Sequence, residues 1–591
     1  SSGFTLTGNN IVFSSAPTGG HAFFGIIYAT ADYLNAGGTF PDGSTGAPSI
    51  TFTNDDDTGL YKKGSGDIGF VSNATEIVNI DGNGLTVTSK DATINSVSIG
   101  KGANSVTGNT VLGEGALDAG VTGGENTAIG KNALTALTSG QSNTVVGASC
   151  GDAITTGSDN TAVGVSAFGT NTTGANNTAI GRASLFTNNG NNNTAVGYHS
   201  LRLNTTGGSG TAVGYLALSS NTTASSNTAV GSGALTANTT GASNTAIGAN
   251  ALDANTTANS NTAVGSNSLT SNTTGNNNTA FGKDSLESTT TGIMNTAVGS
   301  NALAASTTAN FNTAVGNASL IANTTGQQNT AVGHDSLNDN TQGDFNIAMG
   351  SNALAVNTTG DNNTGIGSAA LASNTTADNN TALGRSALNL NTTGTENVAV
   401  GANALDANTT ANSNTAVGYV SLSGNTTGAS NTAIGTNSLQ ANTTGGSNTA
   451  CGKGALASNT TASNNTAVGI DALVSNTTGT ENVAVGAFAL DANTTANTNT
   501  AVGYESLTDN TTGTNNTALG RKSLTENTTG GGNTAIGTSA IFSNTTGSDN
   551  TAVGFAALDV NTTASNNTAV GSSALGSNTT GTSNTALGQA A

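Results

Sequence analysis

A short pattern of apolar and polar positions repeats through most of the chain. From Thr110 the unit N-T-A-V-G-x-x-A-L-x-x-N-T-T-G-x-x recurs every seventeen residues as far as Thr585, with one sixteen-residue step between Thr178 and Thr194. We number the positions of this unit as places 1 to 17. A unit with about two large apolar side chains can bury them only against its neighbours. The sequence therefore predicts an all-β fold, a parallel β-roll or β-solenoid of about 29 repeats.

Several places hardly vary, and their residue types predict their roles. Place 5 is always glycine, which indicates a positive φ angle or a close backbone approach at a corner. Place 15 alternates between glycine and alanine, so it is not expected to need a left-handed conformation. Place 4 is always apolar and place 9 is nearly always leucine, and both are expected to form the core. Place 8 is almost always Ala or Ser and is expected to be tightly confined.

Asparagine is repeated at place 1 in every copy except the one with Gly210, and at place 12 in most copies. In stacked coils such side chains lie about 4.8 Å apart and can form amide ladders along the stack. N-glycosylation is the alternative, since many place-12 triplets read Asn-Thr-Thr. We favour the ladder, because place 1 keeps its asparagine although Asn-Thr-Ala is not an acceptor sequence.

The charges of the repeats are confined to places 6, 7, 10, 11, 16 and 17, which are expected to face water. Places 2 to 4 are never charged, although neighbouring side chains of a strand point to opposite faces. Both faces of this strand are therefore predicted to be dry, one inside the coil and the other against a second chain or a second sheet. Because one thin coil buries little apolar surface, we predict a parallel homotrimer, intertwined or side by side, with the place-3 alanine facing its axis.

The composition changes before residue 90. All three prolines and ten of the twenty-two aromatic residues lie there, and short alternating runs broken by Gly, Asn and Asp predict strands and turns. The predicted organisation is a β-rich attachment or head region at 1–90, a short initial coil at 91–109 and the repeat solenoid at 110–591. The last copy stops at place 8, so a tip, chaperone or anchor beyond Ala591 is left open.

Composition also excludes several classes of function. Charged residues make up 7% of the chain and the net charge is −20, so nucleic acid and anionic membrane surfaces are not expected as partners. No apolar run approaches the roughly 18 residues of a membrane span, so membrane insertion is not expected. Because His, Cys and carboxylate residues do not cluster, we predict no enzyme activity, no catalytic residues, no cofactor and no metal site.

Individual candidates for chemistry are few. The histidines His21, His199 and His334 are far apart, whereas Cys150 and Cys451, at places 8 and 4, are predicted to be buried as small side chains. The run of Asp55, Asp56 and Asp57 before Gly59 could hold calcium, but it lacks the spaced ligands of a known loop and is interpreted as a solvated turn. Exposed tyrosines recur at place 6 and could stack on sugars, but they are not predicted to be a site. They are Tyr198, Tyr215, Tyr419 and Tyr504.

Two stretches resemble known families. The repeats, for example NTAVGSNSLTSNTTGNNNTAFG at 261–282, resemble the head repeats of trimeric autotransporter adhesins (YadA-like), which implies a left-handed parallel β-roll shared by three chains. The period is longer here through the NTTG segment. The segment APSITFTNDDDTGLYKKGSGDIGFVSNATEIVNIDGNGLTV at 47–87 resembles a module of phage tail fibre proteins. That resemblance implies a fibre on a virion tail, in which a C-terminal chaperone is often cleaved off.

Three functions follow as hypotheses. The first is a non-enzymatic, extracellular shaft of a viral tail fibre, which projects receptor-binding parts toward a cell-surface receptor or glycan of the host. The second is a bacterial cell-surface adhesin or extracellular filament subunit. The third, an ice-binding solenoid, is disfavoured because the threonines of places 13 and 14 are consecutive and cannot both lie on one strand face. The receptor and the host are left open.

Overall fold

The structure of the chain is a computed structural model. It describes residues 4–7, 10–13, 42–52, 54–64, 67–81, 84–87 and 91–591. Within these ranges the fold is all-β, with a 3-10 turn at Ala103–Ser105 and no α-helix. The chain divides into two compact units, residues 1–192 and 193–591, and the boundary directly follows the shortened copy of the repeat.

The strands before residue 90 are antiparallel. The first two, β1 and β2, pair with each other, and the next five form one sheet in the order β3-β4-β5-β6-β7. Tyr61, Val71 and Asn79 are buried on one face of this sheet, whereas Ile68 and Ile80 are exposed on the other. The strands are β1 (Phe4–Thr7), β2 (Asn10–Phe13), β3 (Ile50–Phe52), β4 (Asp55–Gly64), β5 (Asp67–Ser72), β6 (Thr75–Asp81) and β7 (Gly84–Val87).

The segment expected to form a short initial coil begins instead with a hairpin. Strands β8 (Ala92–Ile94) and β9 (Val97–Gly100) are antiparallel, and β9 pairs antiparallel with β10 (Thr110–Gly113), the first strand of the repeats. The two turn residues, Asn95 and Ser96, have φ angles of 49° and 68°. Two successive positive φ angles are what a tight two-residue hairpin turn requires. The dipeptide Asn-Ser was the available sequence signal for this turn.

Each copy of the repeat contributes one short strand. Within each of the two compact units, this strand pairs in parallel with the strand of the next copy. In these pairs, residues of the same place number lie opposite each other. Thr228 lies opposite Thr245, for example, and Val230 opposite Ile247. The predicted parallel β-solenoid is thus confirmed. After β10 its strands are β11 (Thr127–Ile129), β12 (Thr144–Val146), β13 (Thr161–Val163), β14 (Thr178–Ile180), β15 (Thr194–Val196), β16 (Thr211–Val213), β17 (Thr228–Val230), β18 (Thr245–Ile247), β19 (Thr262–Val264), β20 (Thr279–Phe281), β21 (Thr296–Val298), β22 (Thr313–Val315), β23 (Thr330–Val332), β24 (Ile347–Met349), β25 (Thr364–Ile366), β26 (Thr381–Leu383), β27 (Val398–Val400), β28 (Thr415–Val417), β29 (Thr432–Ile434), β30 (Thr449–Cys451), β31 (Thr466–Val468), β32 (Val483–Val485), β33 (Thr500–Val502), β34 (Thr517–Leu519), β35 (Thr534–Ile536), β36 (Thr551–Val553), β37 (Thr568–Val570) and β38 (Thr585–Leu587).

The remainder of each coil has no strand, yet its backbone is bonded to both neighbouring coils. In the coil that begins at Asn244, the amides of Thr245 and Leu252 donate to carbonyls of the following coil, over 2.8 and 3.0 Å. The amide of Gly248 donates to a carbonyl of the preceding coil over 2.8 Å. Some backbone amides of a coil therefore donate to the following coil and others to the preceding one. Each coil is held by hydrogen bonds to both neighbours.

Left-handed residues turn the chain at fixed places. The place-5 glycines from Gly130 onward have φ angles between 128° and 144°, as predicted, whereas the place-15 residues do not have positive φ. Places 7, 9 and 17 are also left-handed, and at place 9 the residue is leucine, with φ of 53° at Leu252. A leucine in this region is uncommon and costs energy. The complete burial of the leucine side chain offsets that cost.

The interior of a coil is narrow and mixes small apolar side chains with amides. In the coil that begins at Asn244, the place-3 and place-8 alanines, Ala246 and Ala251, are fully buried together with Leu252 and the place-12 residue Asn255. The predicted core role of place 9 and the predicted confinement of place 8 are therefore confirmed. Asparagine at places 1 and 12 belongs to the same core, because each of its polar atoms can be paired there.

The prediction that place 4 belongs to the core is wrong. Side chains alternate along a strand, so the place-3 alanine points into the coil while places 2 and 4 point outward. The place-4 residues Ile247 and Phe281 are accordingly 41% and 55% exposed. The alanine predicted to face a symmetry axis is instead buried inside its own coil. If a partner covers the strand, it covers the apolar residues of place 4.

Candidate binding surfaces and side-chain ladders

The most extensive unusual surface is the outward side of the strands. We call the side chains of places 2 and 4 the outer strand face. Place 2 is threonine except at Ile347, Val398 and Val483, and place 4 is apolar in every copy, so the face has no charge. Its side chains are partly or largely exposed in the single chain. An uncharged, half-apolar surface that recurs in successive coils can pack against a second such surface.

The place-12 asparagines form the predicted amide ladder. Asn357 donates from Nδ2 to Oδ1 of Asn340 over 2.8 Å and to the carbonyl of Gly360 over 2.9 Å. Its own Oδ1 accepts from Nδ2 of Asn374 over 2.9 Å. These side chains are fully buried. In the ladder the amide nitrogens of these Asn-Thr-Thr triplets are buried and engaged, which contradicts the glycosylation alternative for the folded coil.

The place-1 asparagines form a second ladder that uses the backbone. The backbone amide of Asn346 donates to Oδ1 of Asn329 over 2.8 Å, and Nδ2 of Asn346 donates to the carbonyl of Gly360 over 2.8 Å. Both asparagines are fully buried. Oδ1 of Asn346 in turn accepts from the backbone amide of Asn363 over 2.9 Å. The place-1 asparagine is thus bonded to both neighbouring coils, which explains why this place tolerates so little change.

The place-12 ladder is interrupted once inside the second unit. Thr289 and Ser306 replace asparagine in two successive coils, and their hydroxyl oxygens are buried without a hydrogen-bond partner. The Oδ1 atom of Asn272, in the coil before Thr289, is also left without a partner. A buried polar atom without a partner costs roughly 1–3 kcal/mol. These two coils are therefore a weak point of the stack.

The shortened copy is repaired by one side chain. In an ordinary coil the backbone amide and hydroxyl of Thr155 donate to the carbonyl of Thr172, over 2.9 and 3.0 Å. Between the next coil and the shortened copy, the backbone amide and hydroxyl of Thr172 donate instead to Oδ1 of Asn189, over 2.8 and 3.1 Å. An amide side chain thus replaces the missing backbone carbonyl. This role was not foreseen from the sequence.

His199, His334, Cys150 and Cys451 lie in four different coils. His21 lies outside the described residues, and Nδ1 of His334 lies 3.0 Å from Oδ2 of Asp335. Cys150 is buried, which raises the pKa of its thiol to about 12, and both cysteines are free. Cys451 is only half-buried because place 4 faces outward, so its predicted burial is wrong.

The aspartate run does not form the predicted turn. Asp55, Asp56 and Asp57 begin strand β4, and the turn residue before them is Asn54, with φ of 71°. The carboxyl of Asp55 hydrogen bonds to that of Asp57 and raises its pKa, with smaller contributions from desolvation and the neighbouring charges. Two side chains two residues apart share a strand face, which explains the contact. Across the described ranges, no group of three His, Cys, Asp or Glu residues is arranged to hold a metal ion.

Four aspartates at place 10 have perturbed titration. Partial burial raises the pKa of the carboxyl group of these four, and the effect is largest for Asp491, whose pKa is raised to about 6. The charges of Asp509 and Asp471 add to the shift, and Oδ1 of Asp491 is buried without a partner. The other three residues are Asp152, Asp253 and Asp406.

The place-6 tyrosines differ in their surroundings. The rings of Tyr198 and Tyr215 are stacked, with centroids 5.5 Å apart and planes 10° apart, and His199 stacks on Tyr198 at 3.8 Å. Tyr504 meets Phe488 edge to face at 6.2 Å. Tyr419 is 59% exposed. Only the first pair therefore forms an extended aromatic surface among the place-6 tyrosines.

Comparison of the chain with family models, with curated proteins and with solved structures finds no match. No helix among the described residues is long and apolar enough to cross a membrane.

Proposed function

We propose that the chain is the shaft of an extracellular homotrimeric fibre, in which the outer strand faces of three parallel copies pack together. The observation that carries this proposal is the outer strand face itself. It is uncharged in every copy and apolar at place 4, although a single chain leaves it exposed. Water-facing places elsewhere in the same coils do carry charges, so the difference calls for a covering surface.

The energy of such a contact is small in one coil and large in the stack. Covering a half-exposed Val or Ile side chain is worth roughly 1 kcal/mol at about 25 cal/mol per Å² of apolar surface. The gain recurs in each coil, because successive strands within each compact unit pair in the same register. Three chains aligned in parallel would keep equal places opposite each other along the whole shaft. This is why a homotrimer suits a strictly repeated face.

The setting of the fibre is proposed from the N-terminal region. The stretch 47–87, which resembles a phage tail fibre module, contains the sheet of strands β3 to β7. A virion tail fibre that carries receptor-binding parts toward a host cell is therefore the preferred role. A bacterial cell-surface adhesin or extracellular filament is the alternative, and both roles place the chain outside the cell.

The oligomeric state provides the first test. Light scattering of the purified chain should give about three times 56.9 kDa at micromolar concentration. A folded monomer under these conditions would contradict the proposed fibre.

Cys451 allows a sharper test, because it is the place-4 residue of its coil and lies on the outer strand face. In a parallel trimer the three copies of Cys451 lie at the same height, so a short bismaleimide should link chains through this residue. A matched control moves the thiol to place 6 of the same coil, as Cys451→Val combined with Lys453→Cys. That variant should not be cross-linked. Cross-linking through residue 453 and not through Cys451 would show that the chains meet at place 6. That outcome would contradict a contact through the outer strand face.

One observation favours a second candidate, an ice-binding solenoid. The threonines of place 13 donate their hydroxyls to the next coil, as Thr205 does to the carbonyl of Thr222 over 2.9 Å, so they are engaged. The threonines of place 2, however, lie on the flat outer strand face beside Val or Ile, in an in-register array. A thermal-hysteresis assay separates the candidates. Hysteresis from a monomer would favour ice binding, and a trimer without hysteresis would favour the fibre.

A further inference from the structure

One cluster of exposed aromatic and basic side chains lies apart from the outer strand face. We call Tyr198, His199, Arg202 and Tyr215 the tyrosine patch. Tyr198 and Tyr215 occupy place 6 of successive coils and are 39% and 55% exposed, and Arg202 is also exposed. Place 6 varies widely among the other coils, but no other two successive coils both have an aromatic residue there. The patch is therefore the one part of the repeats where two place-6 aromatic rings are neighbours.

The members of the patch lie on one side of the coil. His199 is at place 7 and Arg202 at place 10, and in other copies these two places touch. The side chains of Asp335 and Asn338 are 3.2 Å apart, and those of Asn403 and Asp406 are 3.4 Å apart. Since all copies share one backbone path, Arg202 lies beside His199, which in turn stacks on Tyr198.

One aromatic ring of the patch is partly open. The ring of Tyr198 is stacked with both His199 and Tyr215. Beyond Tyr215 the next coil has Ser232 at place 6 and Gly233 at place 7. Neither side chain is large, and the Tyr215 side chain is 55% exposed, so part of its ring is open to solvent.

The electrostatic surroundings favour an anion. The chain has no acidic residue between Asp159 and Asp253. This is the longest stretch without a carboxylate side chain in a protein of net charge −20. Asp253 lies three coils from Arg202 at the same place, or about 14 Å at 4.8 Å per coil. That distance exceeds the Debye length of about 8 Å at physiological salt. Around Arg202 a negatively charged ligand therefore meets little repulsion from the second unit.

We propose that the tyrosine patch binds an acidic sugar that carries a carboxylate. The C–H face of a pyranose ring would pack on the open part of the Tyr215 ring, as sugars commonly do on aromatic rings. The carboxylate would pair with the guanidinium of Arg202, which has five N–H donors and can keep a protein contact while it binds an anion. The patch would give the shaft a ligand of its own, independent of whether the chain is a fibre.

Binding can be measured with defined oligosaccharides on the full chain. A galacturonic acid hexamer should bind in a calorimetric or saturation-transfer NMR experiment, and neutral maltohexaose should bind at least tenfold more weakly. Tyr215→Ser and Arg202→Thr should each weaken hexamer binding at least tenfold. Both replacements are residues found at these places in other copies, for example Ser232 and Thr236, so the coil should still fold.

Two controls decide between this site and general adhesion to sugars or anions. Tyr419→Ser removes a tyrosine from the same place of a distant coil and should leave hexamer binding unchanged. A sulfated heparin hexasaccharide tests for indifferent anion binding. The proposal is overturned if the galacturonic acid hexamer does not bind, if Tyr215→Ser has no effect, if Tyr419→Ser weakens binding equally, or if the heparin fragment binds as tightly and ignores Tyr215→Ser.

Discussion

The β3–β7 sheet and the solenoid are stabilised in different ways. In the sheet, unlike side chains make contacts that occur once. The hydroxyl of Tyr61 donates to Glu76, and Nζ of Lys63 lies 2.9 Å from the same carboxylate. In the solenoid, each side chain mainly meets its own kind in the coils before and after it. A substitution in the sheet therefore removes one contact, whereas the same change in a coil disturbs two neighbours.

The largest effect is expected at a place-5 glycine. In Gly333→Ala the new Cβ would lie 2.6 Å from the carbonyl oxygen of Gly350, at a backbone φ of 137°. Clash and strain together should cost about 3 kcal/mol or more. Hydrogen exchange measured by mass spectrometry should show loss of protection in that coil and in both flanking coils.

The matched control is Gly343→Ala, at place 15 of the same coil. Place 15 accepts alanine in nature, but never in two successive copies, and Gly343 has Gly326 and Gly360 as its neighbours. In Gly343→Ala the new Cβ would lie 2.5 Å from the carbonyl oxygen of Gly360, but the backbone φ is not left-handed and isolated alanines occur at this place in other copies. The coil should therefore adjust, and Gly343→Ala should cost clearly less than Gly333→Ala. Gly394→Ala, between Ala377 and Ala411, should cost more. Equal effects of Gly333→Ala and Gly343→Ala would mean that the glycines of place 5 are not special.

A stabilising change is expected where the place-12 ladder is interrupted. Thr289→Asn together with Ser306→Asn should give Asn272 a donor and continue the ladder through both coils. Pairing a buried polar atom is worth roughly 1–3 kcal/mol, so protection against hydrogen exchange should rise across residues 270–310. Ser288→Asn, one place before the ladder, is the control and should change nothing. A neutral double variant would show that the amide ladder contributes little.

A smaller, pH-dependent effect is expected at Asp491. Its pKa of about 6 lies above the usual 3.8, so the folded coil favours the neutral acid and the carboxylate is destabilising above pH 6. The penalty is lost as the pH falls from 6 toward 3.8. Asp491→Thr should therefore stabilise the local coils at pH 8 by about 1 kcal/mol after solvent screening, and not at pH 4.

Asp253→Thr is the comparison for this prediction. Burial raises the pKa of Asp253 as well, but without a contribution from neighbouring carboxylates. The gain at pH 8 should have the same sign and be smaller. Hydrogen exchange at the two pH values, corrected for the intrinsic rates, measures both variants. A gain at pH 4 that equals the gain at pH 8 would exclude the titration of Asp491 as its cause.

The smallest and most local effect is expected in the sheet. Burial and Glu76 raise the pKa of Tyr61 to about 12, so its hydroxyl stays protonated and donates to Glu76. Tyr61→Phe should cost about 1 kcal/mol, with faster exchange only in the stretch 55–81. The bonds from Tyr61 and Lys63 lower the pKa of Glu76. Their stabilisation is present above its usual pKa of 4.5 and is lost as the pH falls below it.

Tyr419→Phe, an exposed tyrosine of the solenoid, is the control and should have no effect. Faster exchange in the coils of the Tyr61→Phe variant would show that the sheet and the solenoid do not respond separately.

The repeat made the solenoid predictable because internal copies reveal which places tolerate change. The glycine of place 5 and the amide ladders followed directly from that invariance. The outward direction of the place-4 side chain could not be predicted, because both a coil interior and a contact surface select apolar residues. The left-handed leucine of place 9 was also missed, since side-chain type gives no hint of φ when a buried leucine compensates for the strain. The Asp55–Asp57 run was misplaced because polar residues mark turns only on average.

The role of Asn189 has a consequence for how such a chain evolves. A coil bonds only to its two neighbours and always through equal places, so duplication or deletion of a whole unit by recombination leaves every contact type intact. Loss of a single residue does not, and the one shortened copy retains its bonds because Oδ1 of Asn189 takes over from a carbonyl. The length of the stack can thus change in steps of one coil, about 4.8 Å. The loss of one residue within a coil instead requires a compensating side chain.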